Sequence, residues 1–184
     1  MENQQLSKTE TITLAGGCFW CTEAVFDRVH GVLDVESGYA NGHVPHPSYE
    51  QVCEGTTGHA EVLKLVFDPA QIGLDLLLEI FFGTHDPTTP NRQGNDVGTQ
   101  YRSAIYTTSE AQLQVARDFV DMLNQRLLFG VPVVTEVQPL DNYWPAEAYH
   151  QDYFARNPHQ GYCAYVVGPK VQKFLQTFAQ YAKR

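Results

Sequence analysis

Polar and apolar residues alternate through Thr11-Ile12-Thr13-Leu14-Ala15, several of them β-branched, and the run ends on Gly16-Gly17. That pattern predicts a strand that delivers the chain to a tight turn. Beyond it Phe19, Trp20, Ala24, Val25, Phe26 and Val29 recur at mixed three- and four-residue steps until Gly31, which predicts a helix with a glycine stop. Cys18 is then expected in the first turn of that helix, where unpaired N–H groups and the macrodipole favour a thiolate over a thiol. Cys18 and Cys21 fit equally well as two small apolar residues filling a core.

Downstream, residues 32–39 read as a second strand bounded by Gly31 and by Asn41-Gly42, followed by a loop over 41–47 and a short helical turn behind Pro47. Residues 59–67 predict a third strand in which alternation sets Glu61 on one face with Leu63, Leu65 and Phe67. Val62, Lys64 and Val66 occupy the opposite face, so the strand is expected to be central. Glu61 then has two readings. Beyond the end of the core it is an ordinary solvated carboxylate. Inside, desolvation raises its pKa and keeps it protonated near neutral pH, able to donate a proton.

Residues 72–82 are apolar nearly all round and predict a buried helix, and the polar stretch 83–99 predicts a long loop of the kind that often carries function. A strand is expected over 100–106. Ser109 with Gln112 is a capping-box signature, and Leu113, Ala116, Phe119, Val120, Leu123 and Leu127 form a helical stripe. The remaining expectations are an edge strand at 132–137, a helix opened by Pro145 through Phe154, a strand at 164–167 and a last helix behind Pro169. No repeat or linker divides the chain, so residues 11–184 are expected as one α+β domain behind a loose polar segment, 1–10. Its expected form is a mixed or antiparallel sheet with helices packed on it, a two-layer sandwich.

Composition narrows the function classes. With 12 basic and 21 acidic side chains among 184 residues the formal charge is −9, which disfavours phosphate backbones and anionic membranes. Neither a signal sequence nor a run of about 20 apolar residues is present, so a cytoplasmic protein is expected, binding neither nucleic acid nor membrane. Four unevenly spaced cysteines (Cys18, Cys21, Cys53, Cys163) do not form a secreted disulfide framework and point to redox chemistry or metal. Zinc is disfavoured because no second Cys-x-x-Cys recurs, and Thr22 rules out a c-type haem attachment. No His-x-x-x-His pair marks a metal helix. Cys53 is expected to be a buried structural thiol.

Around the thiol the chain offers rings at Phe19 and Trp20, a carboxyl at Glu61, a phenol at Tyr101, and Asp96 in the long loop; spacing alone does not bring them together. The chain also carries the blocks Gly16-Gly17-Cys18-Phe19-Trp20, Ser37-Gly38-Tyr39, Pro47-Ser48-Tyr49, Gly58-His59-Ala60-Glu61, His85-Asp86-Pro87-Thr88, Arg92-Gln93-Gly94-Asn95-Asp96, Gly98-Thr99-Gln100-Tyr101-Arg102-Ser103, Tyr149-His150-Gln151-Asp152-Tyr153 and Gly161-Tyr162-Cys163. Together they resemble the peptide methionine sulfoxide reductase A family over nearly the whole chain.

The resemblance implies a fold like the ferredoxin plait and a cofactor-free, metal-free reduction of methionine S-sulfoxide, free or in proteins. It implies that Cys18 attacks the sulfoxide sulfur, that Glu61 protonates the oxygen, and that Tyr49 and Tyr101 hydrogen-bond that oxygen. Phe19 and Trp20 would receive the S-methyl group, and Asp96 would hold the polar network. Cys18 becomes a sulfenic acid that a second thiol condenses to a disulfide, and thioredoxin recycles it. The resemblance favours Cys163, which matches the family position, as the resolving thiol, with Cys21 the local alternative. Two other classes remain: a thioredoxin-like disulfide exchanger using Cys18 and Cys21, and a zinc-stabilised interaction module.

Overall fold

A computed structural model describes residues 8–184. The expected loose segment falls mainly on residues outside that range, and Glu10 already opens the first strand. The elements run β1 (Glu10–Gly16), α1 (Phe19–Phe26), β2 (Val32–Ala40), α2 (Tyr49–Cys53), β3 (Ala60–Phe67), α3 (Leu74–Thr84), β4 (Arg92–Gln93) and β5 (Asp96–Val97). They continue as β6 (Ser103–Thr107), α4 (Glu110–Gln125), β7 (Glu136–Pro139), β8 (Tyr143–Pro145), α5 (Tyr153–Arg156) and α6 (Gly168–Thr177). Six of the described strands form one sheet in the order β7-β6-β1-β3-β2-β8, antiparallel except for the parallel β6–β7 edge. The fold is thus mixed α+β, and no described helix is long and apolar enough to cross a membrane.

β3 lies between β1 and β2, pairing Leu63 with both Leu14 and Ser37 and Glu61 with Tyr39. One face of this ladder carries Ile12, Leu14, Leu63, Leu65, Phe67 and Ile105, packed against Phe26, the α3 residues Leu77, Leu78, Ile80, Phe81 and Phe82, and Phe174. The other carries a smaller cluster, Ala15, Ala40, Ala60, Val62, Ala104 and Tyr106. On that second face Ala60 and Val62 are buried while Lys64 and Val66 stay half-exposed, so the expectation of a strand covered on both faces holds only for its first half. Glu61 lies on the helix-packed face.

Several elements depart from the periodicity reading. Residues 164–167 are not a strand: Cys163–Val167 form a π-helical turn running into α6. The buried positions Cys163, Val167, Val171 and Phe174 recur at helical steps while Tyr165 is exposed, a spacing that β-branched composition obscured. The helix expected from Pro145 to Phe154 is split. Pro145 ends β8, Ala148–His150 form a 3-10 turn, and α5 starts only after Asp152, whose φ of 54° is left-handed. The strand expected at 100–106 begins at Ser103, because Thr99–Tyr101 turn back as a 3-10 segment before β6 pairs with β1. The edge strand at 132–137 appears instead at Glu136–Pro139. The stripe of α4 holds, with Ser109 accepting from Gln112 N–H, but Leu127 lies past the helix and is exposed. The loop 83–99 contains the small hairpin β4–β5.

Candidate functional site

β1 ends at Gly16, and Gly17 turns the chain at φ 93° toward α1. A Cβ at Gly17 would sit 2.5 Å from Gln93 Cγ, so the close approach of β4 and the positive φ both require glycine. Gln93 is itself fixed by both ends of its amide, accepting from Asp86 N–H at 2.9 Å and donating to Asp86 C=O at 2.8 Å. Cys18 is therefore held at the mouth of α1, and it occupies the N-cap with extended ψ of 125° rather than the first turn. It is half-buried. Burial raises its thiol well above the ordinary range, with Cys21 and the Glu61 charge adding to the effect. The thiolate expected from the dipole is thus outweighed here by desolvation.

Glu61 projects from β3 beneath this turn and is 1% exposed. Its Oε1 accepts a hydrogen bond from Phe19 N–H at 3.1 Å, one of the orphan donors of the α1 N-terminus. Burial pushes its pKa up to about 8, outweighing the opposing effect of that bond. The solvated reading of Glu61 is therefore overturned: the side chain is a buried acid that is mostly protonated at neutral pH.

Tyr49, first residue of α2, and Tyr101, in the Thr99–Tyr101 3-10 turn, come from two other segments of the chain. Both phenols are pushed up mainly by burial, with the nearby Glu61 charge among the causes. A capping box of Ser48 and Gln51 sets α2, and Glu147 accepts from Tyr49 N–H at 3.0 Å. Asp96 stands on β5, its carboxylate accepting from Tyr162 O–H at 2.6 Å. Tyr162 O–H in turn lies 3.9 Å from Cys21 Sγ. Asp96 thus reaches the cysteines through Tyr162, a residue to which the sequence reading assigned no role although it stands inside the quoted Gly-Tyr-Cys block.

Phe19 is buried among Tyr39, Val52, Ala146 and His150. Trp20 is half-buried, stacked on Tyr153 at 3.8 Å and 4°, and donates through Nε1 to His150 Nδ1 at 3.1 Å. Cys18, Cys21 and Cys163 share one apolar cluster with Trp20, Tyr153 and Tyr162. Cys21 N–H bonds Cys18 C=O at 3.1 Å, one turn along. The Cys21 thiol is lowered, chiefly by Cys18 and also by Lys170 and Tyr162, whereas burial raises Cys163. Cys53 is exposed, against the expectation of a buried thiol, because α2 ends at the surface there. Among the described residues no three His, Cys, Asp or Glu side chains converge as a metal set.

A family model described as peptide methionine sulfoxide reductase matches residues 10–182. The peptide methionine sulfoxide reductase MsrA of Trichodesmium erythraeum is 54% identical over 169 residues, 92% of this chain and 96% of the relative. Methionine sulfoxide reductase A of Corynebacterium diphtheriae superposes with a TM-score of 0.79 at 39% identity, covering 87% of this chain and 80% of that one. Mxr1 from Saccharomyces cerevisiae in complex with Trx2 matches with a TM-score of 0.56 at 28% identity, over 83% of this chain and 90% of that one.

Proposed function

The chain belongs to the peptide methionine sulfoxide reductase family, and from that premise we propose that it reduces methionine S-sulfoxide to methionine through a Cys18 sulfenic acid. The observation that carries the reading is the 3.1 Å bond from Phe19 N–H to Glu61, which hangs a buried acid beside the nucleophile's own backbone. Cys18 sulfur bonds to the sulfoxide sulfur while Glu61 gives its proton to the oxygen, turning a poor leaving oxide into a hydroxyl. The hydroxyl passes to Cys18 as methionine leaves, and the thiol proton restores Glu61. Oxygen has moved from one sulfur to the other: methionine is reduced and Cys18 oxidised by two electrons. Tyr49 and Tyr101, kept neutral by burial, donate to the oxygen as charge develops. Trp20 walls the S-methyl pocket with buried Phe19 behind it.

A second thiol then displaces water from the sulfenic acid to form a disulfide. Cys21 and Cys163 both lie in the cluster around Cys18, so either thiol is placed to attack: Cys163 matches the family position and Cys21 stands one turn along α1. Thioredoxin, by analogy with the Mxr1–Trx2 complex, reduces that disulfide in a cytoplasmic setting. Residues 11–184 act as one catalytic domain. The order β6-β1-β3-β2 with α1 and α3 as crossovers supports reading its centre as a ferredoxin-like plait.

Cys18→Ser is expected to abolish turnover of methionine sulfoxide with dithiothreitol; retained turnover overturns the proposal. Peptide mapping after one turnover without reductant is expected to join Cys18 to Cys21 or to Cys163.

A further inference from the structure

The Trp20 indole is gripped by His150 at its Nε1 and by Tyr153 on its face, and these two residues flank a pair, Gln151-Asp152, that is fastened to β2 and α1. Gln151 pairs its amide with both backbone groups of Ser37, each bond 2.9 Å. Glu23, three residues past Trp20 on the same side of α1, takes Ser37 O–H on Oε2 at 3.0 Å and Asp152 N–H on Oε1 at 2.7 Å. Asp152 is left-handed at φ 54°, a conformation that a non-glycine residue keeps only when its surroundings impose it. The next residue is Tyr153.

We propose that Glu23 is a positioning residue for the substrate pocket: its carboxylate fixes the Asp152 turn that lays Tyr153 on Trp20 and so sets the wall that receives the S-methyl group. Glu23 is buried, and no cation among the described residues pairs with it. An ionisable side chain in that position costs desolvation that an apolar residue would avoid, so what it provides is geometry. Each carboxylate oxygen meets one donor, and those donors belong to the two strands of chain that meet behind the indole. The proposal rests on Trp20 lining the pocket of a methionine sulfoxide reductase.

The test uses the full chain carrying Trp144→Phe, which leaves Trp20 as the only indole. Glu23→Ala is expected to raise KM for methionine sulfoxide about tenfold while the saturated single-turnover rate stays within about twofold. It should also shift Trp20 emission to the red as Tyr153 unstacks. Glu23→Gln, whose amide can serve Asp152 N–H with its oxygen and Ser37 Oγ with its nitrogen, should restore both readouts. Adding Glu23→Ala to Tyr153→Leu should change KM no further, since both act through one contact. If the alanine variant does not fold, Glu23→Asp, one carbon too short to reach, must show the same KM rise. Unchanged KM with unchanged Trp20 emission, or additive effects in the double variant, overturns the proposal. A parent protein without reductase activity would sink the functional reading instead, and the emission shift would still report on the clamp.

Discussion

β3 carries two kinds of burial on one face. Leu63, Leu65 and Phe67 are fully buried, and Glu61, two residues earlier, is 1% exposed. Burial is equal, but its consequence is not. At the leucine end water is expelled from apolar surface packed against α3 and α6, and the return is stability. At the glutamate end water is expelled from an ionisable group whose single hydrogen bond to Phe19 N–H does not offset the loss, and the return is a proton held up to a pKa of about 8. One strand thus anchors the core and presents the acid, so the acid is aimed from a strand paired on both sides, between β1 and β2, rather than from a loop.

The sharpest separation of the two ends comes from replacing each. Glu61→Gln keeps shape and removes the transferable proton, so the rate of sulfenic acid formation should drop about 10²–10⁴-fold with the melting temperature unchanged or raised. Leu65→Ala should do the reverse: about 2–5 kcal/mol of stability lost in urea titration, with the folded fraction turning over at the parent rate. Linkage adds an effect that is small per pH unit. An unfolded glutamate titrates near about 4.3, so between there and about 8 the native chain holds a proton that the unfolded chain has released. Stability conferred by protonated Glu61 is therefore lost as pH rises through that window, at no more than about 1.4 kcal/mol per pH unit. Glu61→Gln should remove that slope, and Leu65→Ala should leave it intact.

The same division explains what was legible in the sequence. The leucine end was: period-two alternation fixed the faces of β3, and the Ser109 cap with its apolar stripe fixed α4. Glu61 was placed on the right face, but whether the core reached it depended on long-range packing that no local window contains. The region from Pro145 to Val167 misled for a related reason. Its Tyr, Val and Cys residues suit a strand or a helix equally, and the choice was made by contacts such as Glu23 to Asp152 and Gln151 to Ser37, more than a hundred residues apart in sequence. Motif blocks named Cys18, Glu61, Tyr49, Tyr101 and Asp96 together. They did not show that Asp96 reaches Cys21 through Tyr162, or that Cys18 sits at the N-cap with its thiol raised by burial.

The central claim is that burial keeps Glu61 protonated so that it can act as the acid beside Cys18. It is tested most directly by the pH dependence of single-turnover sulfenic acid formation under substrate excess, in the parent protein and in Glu61→Gln. The parent rate should fall as pH rises through about 8, and the Gln variant should be slow and lack that limb. Equal rates with the same pH profile in both proteins would contradict the claim.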